Sequence, residues 1–134
     1  MDINQIKNFI REGRVSSVDP VKCTARVTFP DRDDMVSAEL PVLTMGSRET
    51  KVYWMPAIDA QVVCIFAPNA SGKGLKEGYI LGCRYSTQDT PAESSADVLS
   101  FRFKDGSFIR VDNGTIEIHA SSAIKLTAPR VDIN

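Results

Sequence analysis

The chain has 134 residues, 43% hydrophobic and 25% charged, which is typical of one globular domain with or without an appendage. Sixteen Lys and Arg against seventeen Asp and Glu give a net charge of −1, which disfavours a nucleic-acid surface made by the whole chain. No apolar run approaches the roughly 20 residues of a membrane span, and the N-terminus lacks the features of a signal peptide. We therefore expect synthesis in the cytoplasm.

The N-terminal residues have helical periodicity. Ile3, Ile6 and Ile10 recur on one face, Asp2 can cap the start, and Gly13 follows the end. The spacing predicts a short amphipathic helix within residues 1–12. Such a helix is marginal alone in water, so its apolar side must dock either on its own domain or on a neighbouring subunit or another protein.

Two β-prone runs follow, Arg14–Val18 and Val21–Phe29, separated by the turn signal Asp19-Pro20. The second run alternates apolar and polar residues and predicts a half-buried strand that pairs with the first as a hairpin. Residues 35–44 predict a further strand, with Pro41 marking an edge or a bend.

A continuous apolar run, Val62–Phe66, predicts a strand buried on both faces or closing a barrel. Residues 79–85 predict the returning strand, and the Gly-rich residues 69–78 predict the polar loop between them. About five short antiparallel strands without a helical pattern predict an all-β fold, and the five-stranded OB barrel fits residues 13–86.

Three cysteines, Cys23, Cys64 and Cys83, lie in strand-like apolar segments without metal-type spacing. We expect all three to be buried free thiols that pack as small hydrophobes. A disulfide between two barrel strands is the alternative, and it would be unusual in a cytoplasmic product.

Residues 87–98 are polar and unpatterned and predict a linker, after which residues 99–134 change texture. Apolar residues there recur in pairs two apart, with turn signals such as Asn113-Gly114 between the pairs. A single ribbon of short strands is marginal in water, so this segment predicts oligomerisation. The predicted inward positions of an oligomeric stem are Ile109, Val111, Ile116, Ile118, Ile124, Leu126, Val131 and Ile133.

Several blocks, in order, resemble the phage baseplate assembly protein V family, the trimeric central spikes of contractile tails and related injection machines. They are Gly13-Arg14-Val15, Phe29-Pro30-Asp31-Arg32, Leu40-Pro41-Val42-Leu43, Ile80-Leu81-Gly82 and Phe103-Lys104-Asp105-Gly106-Ser107. The resemblance covers roughly residues 10–134. One departure is Asp59, which stands where the family usually has Gly before the buried strand. If that position needs a positive φ angle, Asp is among the residues that tolerate it.

The resemblance implies a homotrimer with an OB barrel that plugs the tail tube and a triple-stranded β-helical needle that pierces the target cell envelope. It also implies contacts with the tail tube and other baseplate or hub proteins, and assembly in the host cytoplasm into a virion tail or a tail-like particle. Because the chain finishes within the strand repeat, we further expect the needle to be completed either by a separate tip protein or by residues beyond this chain. The implied role is structural, and no enzymatic activity is expected.

The motifs that could carry chemistry are weak. The segment 67–74 resembles a phosphate-binding loop only superficially, since Ala67 replaces its first Gly and Gly74 its Ser or Thr. Asp31, Asp33 and Asp34 lack the spacing of a calcium loop. The only histidine, His119, is expected on the outside of the stem together with Glu117. We therefore predict no catalytic residue, no metal ligand and no cofactor.

The alternative in another functional class is an OB-fold nucleic-acid-binding module, which uses a basic face and stacking aromatic rings. The residues that could supply these features are Tyr53, Trp54, Arg14, Lys22, Arg26 and Lys51. The charge balance and the stem disfavour this alternative. A salt-dependent gel shift on single-stranded DNA would distinguish the two readings.

Overall fold

A computed structural model describes residues 3–68 and 75–134, and the chain forms two compact units. Unit 1 is Met1–Thr90 and unit 2 is Pro91–Asn134. Most of the segment that resembles a phosphate-binding loop, and of the loop predicted over residues 69–78, lies outside the described residues. No helix in the part of the chain that the structure describes is long and apolar enough to cross a membrane.

Nearly all of the regular structure is β-sheet, as predicted. The elements of unit 1 are α1 (Ile3–Lys7), β1 (Ile10–Asp19), β2 (Thr24–Phe29), a 3-10 turn (Pro30–Arg32), β3 (Met35–Val36), β4 (Leu40–Pro41), β5 (Gln61–Pro68) and β6 (Leu75–Cys83). The elements of unit 2 are β7 (Val98–Arg102), β8 (Phe108–Asp112) and β9 (Thr115–His119). Each unit has one antiparallel sheet.

Strand β1 organises unit 1 because it pairs with β2 on one side and with β5 on the other. The strand order is β3-β2-β1-β5-β6, and β4 also pairs with β2. A bulge between Val15 and Ser17 bends β1, so that one strand serves both halves of the sheet. The concave side encloses the hydrophobic core, which consists of Val15, Ala25, Val27, Phe29, Leu40, Val42, Val62, Cys64 and Ile80.

The predicted closed barrel of five strands is not what the described residues form. The sheet has six strands, and a single parallel bridge between Val42 and Ile80 spans the gap from the β4 segment to β6. Next to it, the Leu43 N–H donates to the Ile80 carbonyl at 3.0 Å. Strand β4 has only two residues, and Pro41 has no N–H to extend the ladder.

The N-terminal helix is shorter than predicted. It ends at Lys7, and Ile10 already pairs with Ile65 of β5. The Phe66 N–H also donates to the Phe9 carbonyl at 2.7 Å. Residues 10–12 therefore belong to the sheet, because pairing with a buried strand outweighs the weak tendency of so short a segment to stay helical.

The β1–β2 connection is longer than the predicted turn, and the placement of Val21 in the strand was wrong. The Asp19 carboxylate accepts hydrogen bonds from the N–H groups of Val21 and Lys22, at 3.1 and 3.2 Å. Cys23 then takes a left-handed φ of 56° before β2 begins. This side-chain-capped turn leaves Val21 96% exposed, while Ala25, Val27 and Phe29 are buried as the alternation predicted.

The single strand predicted over residues 35–44 is two short strands, β3 and β4. Between them Ser37 takes over the pairing with β2. Its N–H donates to the Val27 carbonyl at 2.8 Å, and its hydroxyl accepts from the Val27 N–H at 2.9 Å. Because a side chain satisfies this part of the ladder, the backbone is free to turn away before Leu40 returns to the sheet.

The three cysteines are free thiols, as predicted, but only one of them is buried. Cys64 lies in the core, and burial raises the pKa of its thiol to about 11. Cys23 is half-buried in the turn, and Cys83 is exposed. The prediction was wrong for Cys83, which is the last residue of β6, lies opposite Val62 after a register shift at Leu81, and is exposed there.

Asp59 has a φ of 71°, a left-handed conformation that usually favours Gly. The Asp59 N–H donates to the Val15 carbonyl at 2.8 Å, which joins this turn to β1. The expectation that Asp is tolerated at a positive φ is confirmed.

Candidate interaction surface on the sheet of unit 2

The sheet of unit 2 has the order β7-β8-β9 and gathers most of its apolar side chains on one face, although Val98 and Phe108 lie on the other. Alternation along the strands and the pairing register place six apolar residues on one side, which we call the apolar face. They are Leu99, Phe101, Ile109, Val111, Ile116 and Ile118. The register aligns them in two rows across the strands, Leu99–Val111–Ile116 and Phe101–Ile109–Ile118.

The apolar face is uncovered. All six of its side chains are exposed, and no residue of unit 2, which the structure describes throughout, is buried. A sheet with one apolar face must bury that face against another element to form a packed core. Unit 2 therefore has a row pattern of apolar side chains suited to a core, but none of them is buried.

The opposite side of the sheet, which we call the polar face, is held by a residue from the segment before β7. The Glu93 carboxylate accepts a hydrogen bond from the Arg102 guanidinium at 2.8 Å and another from Arg110 Nε at 2.8 Å. A second contact from Arg110 Nη2 measures 3.4 Å. Arg110 also pairs with Asp112 at 3.2 Å. The segment before β7 is therefore fastened across two strands on the polar face.

These contacts change the acidity of Glu93. Hydrogen bonds from Arg110, and then from Arg102, stabilise the charged carboxylate and hold the pKa of Glu93 below its ordinary value. The same pairing raises the pKa of the Arg110 guanidinium. Glu93 is therefore ionised at neutral pH and can hold both arginines. We call its contacts with Arg102 and Arg110 the Glu93 clasp.

His119 and Glu117 lie on the polar face, opposite the isoleucines of β9. The His119 ring stacks on Phe108 with a centroid distance of 5.2 Å, and the Arg102 guanidinium lies 4.8 Å from the centre of the Phe108 ring. The only histidine of the chain is therefore packed as part of the sheet surface.

The turns of the sheet have identifiable causes. Asn113 and Gly114 have φ angles of 44° and 86°, which permit the two-residue turn between β8 and β9. In the β7–β8 turn, Asp105 accepts from the Ser107 N–H at 2.9 Å and from the Ser121 hydroxyl at 3.0 Å. These hydrogen bonds, Ser107 first, lower the pKa of the Asp105 carboxyl.

Four of the eight predicted stem positions belong to the apolar face: Ile109, Val111, Ile116 and Ile118. The other four, Ile124, Leu126, Val131 and Ile133, follow β9 in a segment that has no strand and is exposed. Among residues 3–68 and 75–134, no strand pairs with the segment after His119, so the short strands expected there are not formed in the described part of one chain.

Two contributors to the surface were missed among the predicted stem positions. Leu99 and Phe101 complete the apolar face, and the alternation Val98-Leu99-Ser100-Phe101-Arg102 was the available signal. The Glu93 clasp had no such signal, because one carboxylate in a polar segment gives no local indication of its partner.

The residues of the nucleic-acid alternative contact their own unit. The Tyr53 hydroxyl donates to the Pro20 carbonyl at 3.0 Å, and Trp54 Nε1 donates to the Leu43 carbonyl at 2.8 Å. Of the two rings, Tyr53 is exposed and Trp54 is half-buried against the core. Three basic residues also reach nearby acceptors: Arg14 contacts Asp59, Lys22 contacts Glu39, and Arg26 contacts Ser37.

The acidic loop does not form a metal site in the described residues. Asp31 lies in the 3-10 turn, and Asp33 and Asp34 take left-handed φ angles of 54° and 56° with exposed side chains. Across residues 3–68 and 75–134, no cluster of three His, Cys, Asp or Glu side chains is arranged to hold an ion.

Comparison with known proteins adds no relative: no protein-family model matches this sequence, and no curated protein matches it.

Proposed function

We propose that the protein is a structural subunit of the central spike of a contractile tail, acting as a homotrimer. The observation that carries the proposal is the sheet of unit 2, with one wholly apolar, uncovered face and no buried residue. The class of machine comes from the resemblance of the sequence to the baseplate assembly protein V family.

Burial of the apolar face supplies the driving force for assembly. Full burial of a Val, Leu, Ile or Phe side chain contributes about 1.5–3 kcal/mol. Six such side chains, each part-covered already, contribute on the order of 5–10 kcal/mol per copy. This is comparable with the roughly 4–15 kcal/mol cost of association, so additional pairing between copies is needed for a stable trimer.

In the proposed trimer each copy contributes its complete three-stranded sheet as one side of a prism. The apolar faces meet at the axis, and the polar faces, with Glu93, Arg102 and Arg110, point to solvent. The hairpin turn at Asn113-Gly114 lets each chain finish its own sheet before it meets its partners. This architecture differs from the interwound strands expected for the whole stem.

Residues 120–134 supply the additional pairing. Their exposed apolar residues continue the spacing of the preceding strands, and no strand of the described residues pairs with them. Winding three such segments around one axis pairs their backbones between chains and turns Ile124, Leu126, Val131 and Ile133 inward as a triple-stranded β-helix. A fibre with all of its edges paired resists bending and unfolding under load.

Unit 1 acts in this proposal as an OB-type barrel that closes the tail tube and contacts hub proteins. OB folds are five-stranded and partly open. The long bent β1, shared by β2 and β5, and the single bridge across the gap to β6 support this assignment. Sheath contraction would then push the spike, with unit 2 as its shaft, into the envelope of the target cell.

Antibody labelling of assembled particles tests this role. Contractile particles purified from a producing culture are incubated with gold-labelled antibody against this protein and imaged by electron microscopy. We expect label at the distal end of the tail and nowhere along the sheath. Particles that infect or kill without containing the protein would contradict the proposal.

A further inference from the structure

The outer face of the sheet in unit 1 carries a second apolar surface. Ile10 of β1 pairs with Ile65 of β5, and Ile65 pairs with Tyr79 of β6, so the three side chains form a row across three strands. Leu81 follows on the same side of β6. All four are exposed, and Ile65 and Tyr79 retain 38% and 37% of their accessible surface. We call these four residues the outer row.

Three polar side chains near the outer row, those of Glu12, Gln61 and Arg84, already contact one another. Arg84 Nε lies 3.0 Å from the Glu12 carboxylate, and the Gln61 side chain donates to the same carboxylate at 3.4 Å. An apolar centre with a polar rim is typical of a protein–protein interface. Glu12 and Arg84 would remain paired with each other if the outer row were covered.

Helix α1 also has an exposed apolar surface. It has five residues, and its isoleucines Ile3 and Ile6 are exposed, Ile6 by 53%. A helix of this length is not stable in water without tertiary contacts. Neither isoleucine is covered by its own unit, and the outer row of that unit is exposed as well.

We propose that α1 of one copy packs on the outer row of the next copy in the trimer. The contact is heterologous, since the helix surface of one subunit meets the sheet surface of another, and three such contacts close a ring. The proposal rests on the trimer of the proposed function and adds a contact in unit 1 to the one in unit 2. It assigns the helix to a neighbouring subunit, one of the two partners that the sequence left open.

A second copy is favoured as the occupant because the two unsatisfied surfaces occur on one chain and match in kind. The helix offers two isoleucines three residues apart, and the outer row offers aliphatic side chains and one aromatic ring of similar reach. A trimer presents each surface three times, so every copy of α1 is paired with one row and none remains uncovered.

Disulfide trapping in the full chain tests the contact. The variant Ile6→Cys/Tyr79→Cys is made with Cys83→Ser, purified under reduction and then oxidised with diamide. Because each chain then carries both halves of the contact, heterologous packing links all three chains, and a non-reducing gel shows covalent trimers. Ile65→Cys replaces Tyr79→Cys as an independent second position, and Ile6→Cys/Arg48→Cys is the matched control on an exposed loop.

The native mass of the reduced protein separates the two levels of the account. A trimeric mass with covalent trimers from both contact pairs, and none from the control, supports the contact. A trimeric mass without disulfide links between chains overturns the contact. It does not contradict the proposed trimer. A monomeric mass overturns the proposed trimer itself and the contact with it.

Discussion

Ile118 of β9 lies directly opposite Ile109 of β8, and their side chains are 57% and 41% exposed. Cross-strand pairs of this kind stabilise a sheet, but each partner still presents much of its apolar surface to water. The pair belongs to one of the two rows of the apolar face, in which Phe101 of β7 lies on the other side of Ile109. A substitution here should therefore separate the stability of one chain from the association of chains.

Replacing Ile118 by Asp should abolish stable association. The trimer would bring three carboxylates together near its axis, each removed from water without a partner, at a cost of several kcal/mol apiece before their mutual repulsion. Sedimentation velocity measures the loss of the trimer. Glu117→Gln, on the polar face one residue away, is the control and should remain trimeric. Equal loss of association in both variants would show that the apolar face is not the interface.

Glu93→Gln should lower the free energy of unfolding of unit 2 at neutral pH. It should also reduce the loss of that free energy as the pH falls. Because the folded-state pKa of Glu93 is lowered, its ionised form stabilises the fold above the ordinary value of 4.5, and this contribution is lost as the pH falls through the lowered value. Urea unfolding followed between pH 7 and pH 3 measures both effects. The exposed Glu49→Gln is the control.

Some acid sensitivity should persist in Glu93→Gln, because the pKa of Asp105 is also lowered, by hydrogen bonds from Ser107 and Ser121. An acid profile of Glu93→Gln that coincides with that of the unmodified chain would refute the stabilising role of the Glu93 clasp.

Gly13→Ala should destabilise unit 1 by about 1–3 kcal/mol, the usual cost of overpacking a core. A Cβ at this position would lie 2.5 Å from Val27 Cγ1 and 2.6 Å from the Thr28 carbonyl oxygen, and the backbone atom cannot move aside easily. Gly82→Ala is the matched control, because a Cβ there meets nothing within 4 Å. Chemical unfolding of both variants checks the difference, and equal stabilities would contradict the close approach of β1 and β2.

Asp59→Ala should destabilise unit 1 by about 1 kcal/mol, whereas Asp59→Gly should be neutral or slightly stabilising. The φ of 71° strains any residue with a Cβ, and Ala lacks the polar side chain that helps Asp to tolerate this region. The unfolding midpoints of the two variants give the comparison. The reverse order of stability would show that the Asp59 side chain, and not its backbone, determines the stability of the turn.

Short-range sequence patterns were sufficient to predict the faces of β9 and the turn before it. Alternation placed Ile116 and Ile118 on one face of β9 and Glu117 and His119 on the other. Asn113-Gly114 marked the turn that joins β8 to β9. The strand β5 itself was predicted from a continuous apolar run, but its burial on both faces was not found, because Val62 and Cys64 are buried whereas Ile65 is exposed.

A local side-chain cap and several non-local contacts explain what the sequence did not predict. Val21 left its strand because the Asp19 side chain caps the turn, and the gap beside β4 depends on how far β1 bends. Glu93 meets Arg110 across 17 positions, a contact that only the folded sheet creates. For the same reason a single chain cannot reveal the partner of residues 120–134.

The native mass of the full chain in solution tests the central claim most directly. Sedimentation equilibrium at micromolar concentration, near neutral pH and under reducing conditions, should give three times the 14.7 kDa of one chain. A mass of 14.7 kDa that persists as the concentration rises would mean that the apolar face of unit 2 stays open to water, and it would contradict the account.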